Sequence, residues 1–329
     1  MKTFSTVNTI NTHITTVLCI VPNALVIYLT FTTAITEIRR YRWILAVQSV
    51  IEILICAALS LIDMAMYETC DELYVIEMGI FADSYEIISS MLHTCYSFLL
   101  VSNIILLQLI FTFRYAMICS NHVLQEIFTV RGALICCIIG SFLSAFISVV
   151  GITQFRIDTS SAVNGLFGRR VRVFALKRAG GPFPLGRAAG VIIVACLISV
   201  TYVIIILTAV RIWISQTRIN SSEKTKRLRK QLVVVMLLQA LLPLLFIILP
   251  VVMLIILANL QVWVGEYATI AVVLFNWEPC AHPFITLYFV APFRKRICRF
   301  LQKITDCSCG SAESSSQTVL HVFHTWAHK

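Results

Sequence analysis

Long apolar runs, each ended by a short polar or charged segment, recur along the whole chain. Seven of them, near 13–35, 43–66, 87–113, 130–153, 188–212, 231–259 and 266–291, are long enough to span a bilayer, which takes about 20 apolar residues in a helix. The stretches between them leave no room for a soluble domain. No internal repeat of the kind found in transporters is visible. The pattern predicts an all-α membrane protein, a seven-transmembrane helix bundle over residues 1–304 with a tail at 305–329. Met1 to Asn11 is polar and the first apolar run spans by itself, so no cleavable signal peptide is expected.

Composition strengthens this reading. Hydrophobic residues make up 59% of the 329 and charged residues only 13%, about half the charged share of a soluble domain. The net charge of +10 raises nucleic acid as a partner. The cations cluster beside apolar runs, however, where they set membrane topology instead. Eighteen of the 26 Lys and Arg fall in the first, third and fifth connections and the tail, including Arg39, Arg40, Arg42, Arg211 to Lys230 and the tail from Arg294. The second connection has none and carries Glu68, Asp71, Glu72, Glu77 and Asp83. The N-terminus is therefore expected outside and the C-terminus in the cytoplasm. One segment resists this: residues 154–187 are basic and glycine-rich yet fall outside, and a weakly ordered loop is expected there. The twelve Cys include no CxxC and the His residues have no metal-ligand spacing, so neither a zinc site, a disulfide framework nor any other metal or cofactor is expected.

Polar side chains inside spans are costly and face the bundle interior. At 1.5 Å per helical residue, Asn23, Glu52, Asn103, Gln239 and His282 lie roughly 14–20 Å from the cytoplasmic edge, one mid-membrane layer. Two readings stand for this layer: hydrogen bonds that hold helices together, or a switch centred on Glu52, whose carboxylate must be paired, hydrated or protonated. Nearer the outer side, Asp63, His93, Tyr96, Asn276, Trp277 and Glu278 are candidates to line a ligand pocket. The competing reading puts Asp63 and Glu278 in interfacial water.

Four local patterns carry a resemblance. "PNALVIYLT" (Pro22–Thr30), "FRYAMIC" (Phe113–Cys119), "RKQLVVVMLLQALLPLL" (Arg229–Leu245) and "HPFITLYFVAPFRKRI" (His282–Ile297) resemble the first, third, sixth and seventh spans of nematode serpentine chemoreceptors, the superfamily containing class r and class delta receptors. The resemblance implies a G-protein-coupled chemosensory receptor, not an enzyme, in the plasma membrane of a sensory neuron cilium. Its implied partners are a small odorant or pheromone-like ligand, a heterotrimeric G-protein and membrane lipid, with no nucleic acid. It also implies G-protein coupling by Arg114, Tyr115, Arg227, Arg229 and Lys230, and a hinge at Pro283 beside His282. The alternative is a ligand-gated channel or small-solute transporter lined by Glu52, Asp63 and Glu278, which the odd helix number and missing repeats disfavour.

After Pro292, residues 293–304 place Phe293, Ile297, Phe300, Leu301 and Ile304 on one side and cations on the other, an interfacial amphipathic helix. Cys298 is a candidate for palmitoylation, a free thiol being the competing reading. Two departures from the receptor pattern are visible. Phe113 stands where an acidic residue would clamp Arg114, and the loop after span 4 has no Cys, leaving Cys70 and Cys95 as the possible disulfide.

Overall fold

The structure, a computed structural model, describes residues 2–33, 36–68, 72–82, 85–118, 130–153, 156–158, 172–177, 185–218, 223–260, 262 and 264–308. Its elements are α1 (Lys2–Thr32), α2 (Thr36–Ile62), β1 (Met64–Glu68), β2 (Glu72–Glu77), α3 (Glu86–Ile118), α4 (Val130–Ile152), β3 (Arg156–Asp158), β4 (Arg172–Lys177) and α5 (Leu185–Arg218). Then come α6 (Glu223–Pro243), a π-helical turn at Leu244–Ile248, α7 (Leu249–Asn259), a 3-10 turn at Gly265–Ala268, α8 (Thr269–Phe289) and α9 (Ala291–Ser308). Seven helical segments are long and apolar enough to cross a membrane: Ser5–Thr32, Arg42–Ile62, Glu86–Phe113, Leu134–Ile152, Ala195–Ile214, Val233–Leu254 and Gly265–Phe289.

The bundle centres on α1, α2 and α8, which pack on one another; α3 adds to α2 and carries α4 and α5 on its far side, while α6 packs on α8. Ile139, Phe142, Ile206 and Leu207 on α4 and α5 stay exposed, as expected of a lipid-facing rim. Within the spans, hydroxyls bond back one turn: Thr12 donates to Asn8 O (3.0 Å), Thr16 to Thr12 O (2.7 Å) and Ser148 to Ser144 O (2.7 Å). Such bonds satisfy a polar group where no water can.

The second span stops short of its expected end at 66. Asp63 turns the chain with φ 42, a left-handed conformation that Asp tolerates better than most residues. The apolar Met64–Ala65–Met66 that prolonged the run in sequence belongs to β1.

The expectation of a weakly ordered loop over 154–187 is corrected for the described part. β3 and β4 join β1 and β2 in an antiparallel sheet of order β1-β2-β4-β3. The register sets Glu72 opposite Lys177 and Glu77 opposite Arg172. The acidic and basic connections thus meet strand to strand. Val75 and Phe174, also opposite each other, face the bundle core with Ile55, Leu59, Ile62 and Phe275. Ala65, Ile76, Met78 and Val173 fill the other face. Thr269, at the start of α8, ties down β1 by donating to Met66 O (2.6 Å) and accepting from Met66 N–H (3.3 Å).

At the opposite end Val290 (φ −78, ψ 96) breaks the helix between α8 and α9. Phe293 is fully buried with Leu29, Val235 and Val290, and Arg296 donates to Thr32 Oγ1 (2.8 Å) beside the Tyr28 ring. The helix expected over 293–304 is thus docked on the bundle and runs over Ala291–Ser308. Cys298 points inward, 3% exposed, and burial pushes its thiol up from the usual range despite the nearby Arg294. Acylation there would need α9 to lift away.

Candidate functional site

Three helices carry polar residues one turn apart, and these rows meet in the bundle centre. On α2 the row is Gln48, Glu52 and Cys56; on α8 it is Glu278, His282 and Thr286; on α1 it is Cys19 and Asn23. A four-residue spacing puts side chains on one helix face. All eight residues are buried.

His282 is the junction. Its Nδ1 lies 2.8 Å from Glu52 Oε1 and 2.9 Å from the Gln48 amide, and its Nε2 lies 3.5 Å from Glu278 Oε1. One imidazole therefore sits between carboxylates from two spans. Breaking such a buried pair by removing one partner costs about 3–5 kcal/mol, because it strands the other in a low dielectric. Gln239 on α6 reaches the same helix, donating to Thr286 Oγ1 (2.9 Å), which in turn donates to His282 O (3.2 Å). Of the residues expected in one layer, Glu52, Gln239 and His282 are thereby joined around α8, while the Asn23 amide lies 3.4 Å from Cys19 Sγ on its own helix. Asn103 is buried on α3, apart from this junction's hydrogen bonds among the described residues.

Backbone irregularities flank this junction. Pro283 has no N–H to give Pro279 C=O, one turn back. The thiol of Cys19 points at that carbonyl instead (3.7 Å). On the sixth span Pro243 precedes the π-helical turn, and Tyr202 of α5 donates to Ala240 O (2.9 Å). At both prolines a side chain of a neighbouring helix thus reaches a backbone carbonyl of the span. Pro283→Ala should restore the helical bond to Pro279 C=O and stiffen the seventh span. The expected result is a several-fold weaker agonist response at matched surface expression. An unchanged response in a reporter cell would reduce the kink to architecture.

The residues expected to line a pocket divide. Asp63 is buried and accepts from Thr9 Oγ1 (2.5 Å). His93 is buried edge-on against Phe174 of β4 (centroids 4.4 Å apart), and Tyr96 packs on the same cluster. Asn276 is buried and donates to Thr12 Oγ1 (2.9 Å). Trp277 is the correction: it is exposed on the outer side of α8, and its Nε1–H donates to Asn11 on α1 (3.1 Å). Among the described residues, Glu278 Oε2 and Asn276 Oδ1 are buried acceptors without a hydrogen-bond partner, which leaves capacity for a ligand's donors.

At the far end, Arg114 and Tyr115 lie in the last turns of α3, and Arg227, Arg229 and Lys230 in the first turns of α6. The side chains of the four cations lie outside the described residues. Cys95 is a free, exposed thiol; Cys70, its possible partner, lies outside the described residues.

Sequence reasoning passed over Gln48, Thr286, Tyr202 and the three thiols Cys19, Cys56 and Cys280. The four-residue rows on α2 and α8 were the available signal for the first two. Nothing local marks the thiols, which come from three distant helices.

No curated protein matches the chain. Among solved structures it is similar to squid rhodopsin, with a TM-score of 0.66 over 100% of this chain and 92% of that one, at 14% identity, a likeness of fold alone. The model of one family, described as serpentine type 7TM GPCR chemoreceptor Srd, matches residues 8–299. A seven-helix fold shared with rhodopsin and a match over nearly the whole chain agree: this protein belongs to the serpentine chemoreceptor family Srd.

Proposed function

We propose that the chain binds a small external chemical near the sheet end of the bundle and passes the event to a heterotrimeric G-protein at the α9 end. As a family member it is a chemosensory receptor of GPCR type and a multi-pass plasma-membrane protein; family and fold describe a receptor rather than an enzyme. The observation that carries the reading is His282 held between Glu52 and Glu278, at the bend of α8. A ligand that competes for either carboxylate changes how α2 and α8 are held together, and population shift needs only such a differential contact.

The orientation follows the cations: the sheet end outside, α9 and the tail in the cytoplasm, in the membrane of a sensory cilium. A C-terminal tag stained only after permeabilisation supports this; staining of intact cells overturns it. The pocket candidates are Asp63, His93, Tyr96, Asn276 and Glu278, and a ligand bearing a hydroxyl or amine donor fits the spare acceptors on the last two. Residues Arg114, Tyr115, Arg227, Arg229 and Lys230 are the coupling candidates.

Glu52→Gln keeps the side-chain shape and removes its charge. Basal signalling should rise, and agonist potency should move by about tenfold, within the usual range of coupling energies. The measurement is a G-protein reporter in cells exposed to a panel of volatile and water-soluble chemicals. If both basal and evoked signals match the wild type, the pair is only a tie between helices.

A further inference from the structure

The thiols of Cys19 on α1, Cys56 on α2 and Cys280 on α8 converge, with all three Sγ atoms within 4.8 Å of one another. Their exposures are 0%, 2% and 0%. A single buried cysteine behaves as a small apolar side chain. Three from separate helices, with their ligand atoms turned on a common point, form a coordination set. The only partly buried apolar side chain packed on them among the described residues is Leu18.

A second observation lies beside them. Asn23 is 0% exposed, its amide sits 3.4 Å from Cys19 Sγ, and its Oδ1 has no hydrogen-bond partner. The two ends of an amide are distinguished by their bonding and not by shape. Turning this one over would aim an unpaired oxygen at the thiols. Three sulfurs and one oxygen make a four-coordinate shell.

We propose that Cys19, Cys56, Cys280 and Asn23 bind one thiophilic d10 metal ion, Zn(II) or Cu(I), which clasps the first, second and seventh spans. Thiolate is the ligand type that selects these ions. With metal–sulfur bonds of about 2.3 Å, the sulfurs of a tetrahedral site lie about 3.8 Å apart. The present separations close to that value by side-chain rotation and small helix shifts. The S–H contacts given up are mostly long: Cys19 Sγ to Glu52 O and Pro279 O at 3.5 and 3.7 Å, Cys280 Sγ to Asn276 O at 3.4 Å and to Thr15 O at 2.9 Å. Three thiol protons leave to water as the ion binds. Of the two ions, Zn(II) leaves the lower charge on three thiolates in a buried site and is expected to bind tighter.

Because Cys280 lies between Pro279 and Pro283, an ion there would fix α8 beside its hinge. Occupancy would favour one setting of the seventh span and oppose its motion.

The test uses the full-length receptor in detergent micelles, loaded with Zn(II), or with Cu(I) under reductant, and passed over a chelating resin. Metal is then counted per chain. One retained ion is expected for the wild type, with at least a tenfold loss in Cys56→Ser and Cys280→Ser, and full retention when Cys298, Cys307 and Cys309 are all Ser. Asn23→Ala should lower affinity several-fold without changing stoichiometry at saturation. Should the Ser variants fail to fold, Co(II)-loaded wild type decides, since three thiolates give an intense near-ultraviolet charge-transfer band. Absence of that band, no retained ion with either metal, loss of metal only with the tail cysteines, or a disulfide within the trio would each overturn the proposal. None of these readouts depends on signalling.

Discussion

Gly79→Ala is expected to remove most of the receptor from the cell surface. Gly79 follows β2 and donates its N–H to Ile62 O (2.9 Å) at the end of α2. A Cβ built there would lie 1.9 Å from Leu61 O and 2.8 Å from the carbonyl carbon and oxygen of Ile62. The atoms it meets are backbone, fixed by the last turn of a buried helix, so no side chain can swing aside. Overpacking in ordinary cores costs about 1–3 kcal/mol, and a clash with rigid backbone belongs above that range. Displacing Gly79 also pulls Met78, whose N–H donates to Asp63 O (3.1 Å), and with it the end of β2. A stability loss of that size changes abundance several-fold. Surface staining and thermal stability of the purified variant check it; wild-type levels of both would show that the α2–β2 corner yields easily.

The second large effect is functional. Arg114→Lys should leave surface expression and ligand binding near wild type and cut G-protein activation by at least tenfold. Arg114 lies in the last turn or so of α3. A residue that only anchors the helix at the interface by snorkelling would tolerate Lys, which snorkels equally well. A residue that couples to a partner would not, because the planar guanidinium makes directed paired hydrogen bonds that an ammonium cannot reproduce. Phe113 precedes it, so no adjacent carboxylate restrains the cation, and some ligand-independent activity should accompany the wild type. Normal activation by the variant would assign coupling to the basic start of α6 instead.

The spans were legible because a bilayer demands long apolar runs and little else produces them. Where a run continued past its helix, reading failed: Met64, Ala65 and Met66 are as apolar as the residues before them, and only the turn at Asp63 separates strand from span. Depth along the helix brought Glu52 and His282 to one level without saying that they touch. Contact depends on how α2 and α8 are rotated, which their rows Gln48–Glu52–Cys56 and Glu278–His282–Thr286 encode more directly than depth does. Trp277 was misplaced for the same reason, since it points about 100° away from the Glu278–His282–Thr286 row. The basic loop looked disordered because its strand partner, β2, lies far away in the chain. Converging thiols lie beyond any local spacing rule.

The register of β2 on β4 joins Glu72 to Lys177 and Glu77 to Arg172, residues roughly 100 positions apart, a separation whose closure is entropically costly until the chain between them is organised. That intervening chain contains α3 and α4. The strand pairing is therefore disfavoured until the fourth span is in place, however early β1 and β2 form their own hairpin. Until then the hairpin's free edge presents unpaired backbone and acidic side chains to any other strand within reach. The late arrival of β4 closes that edge, so the same pairing that caps the finished bundle also ends an interval of vulnerability during biosynthesis.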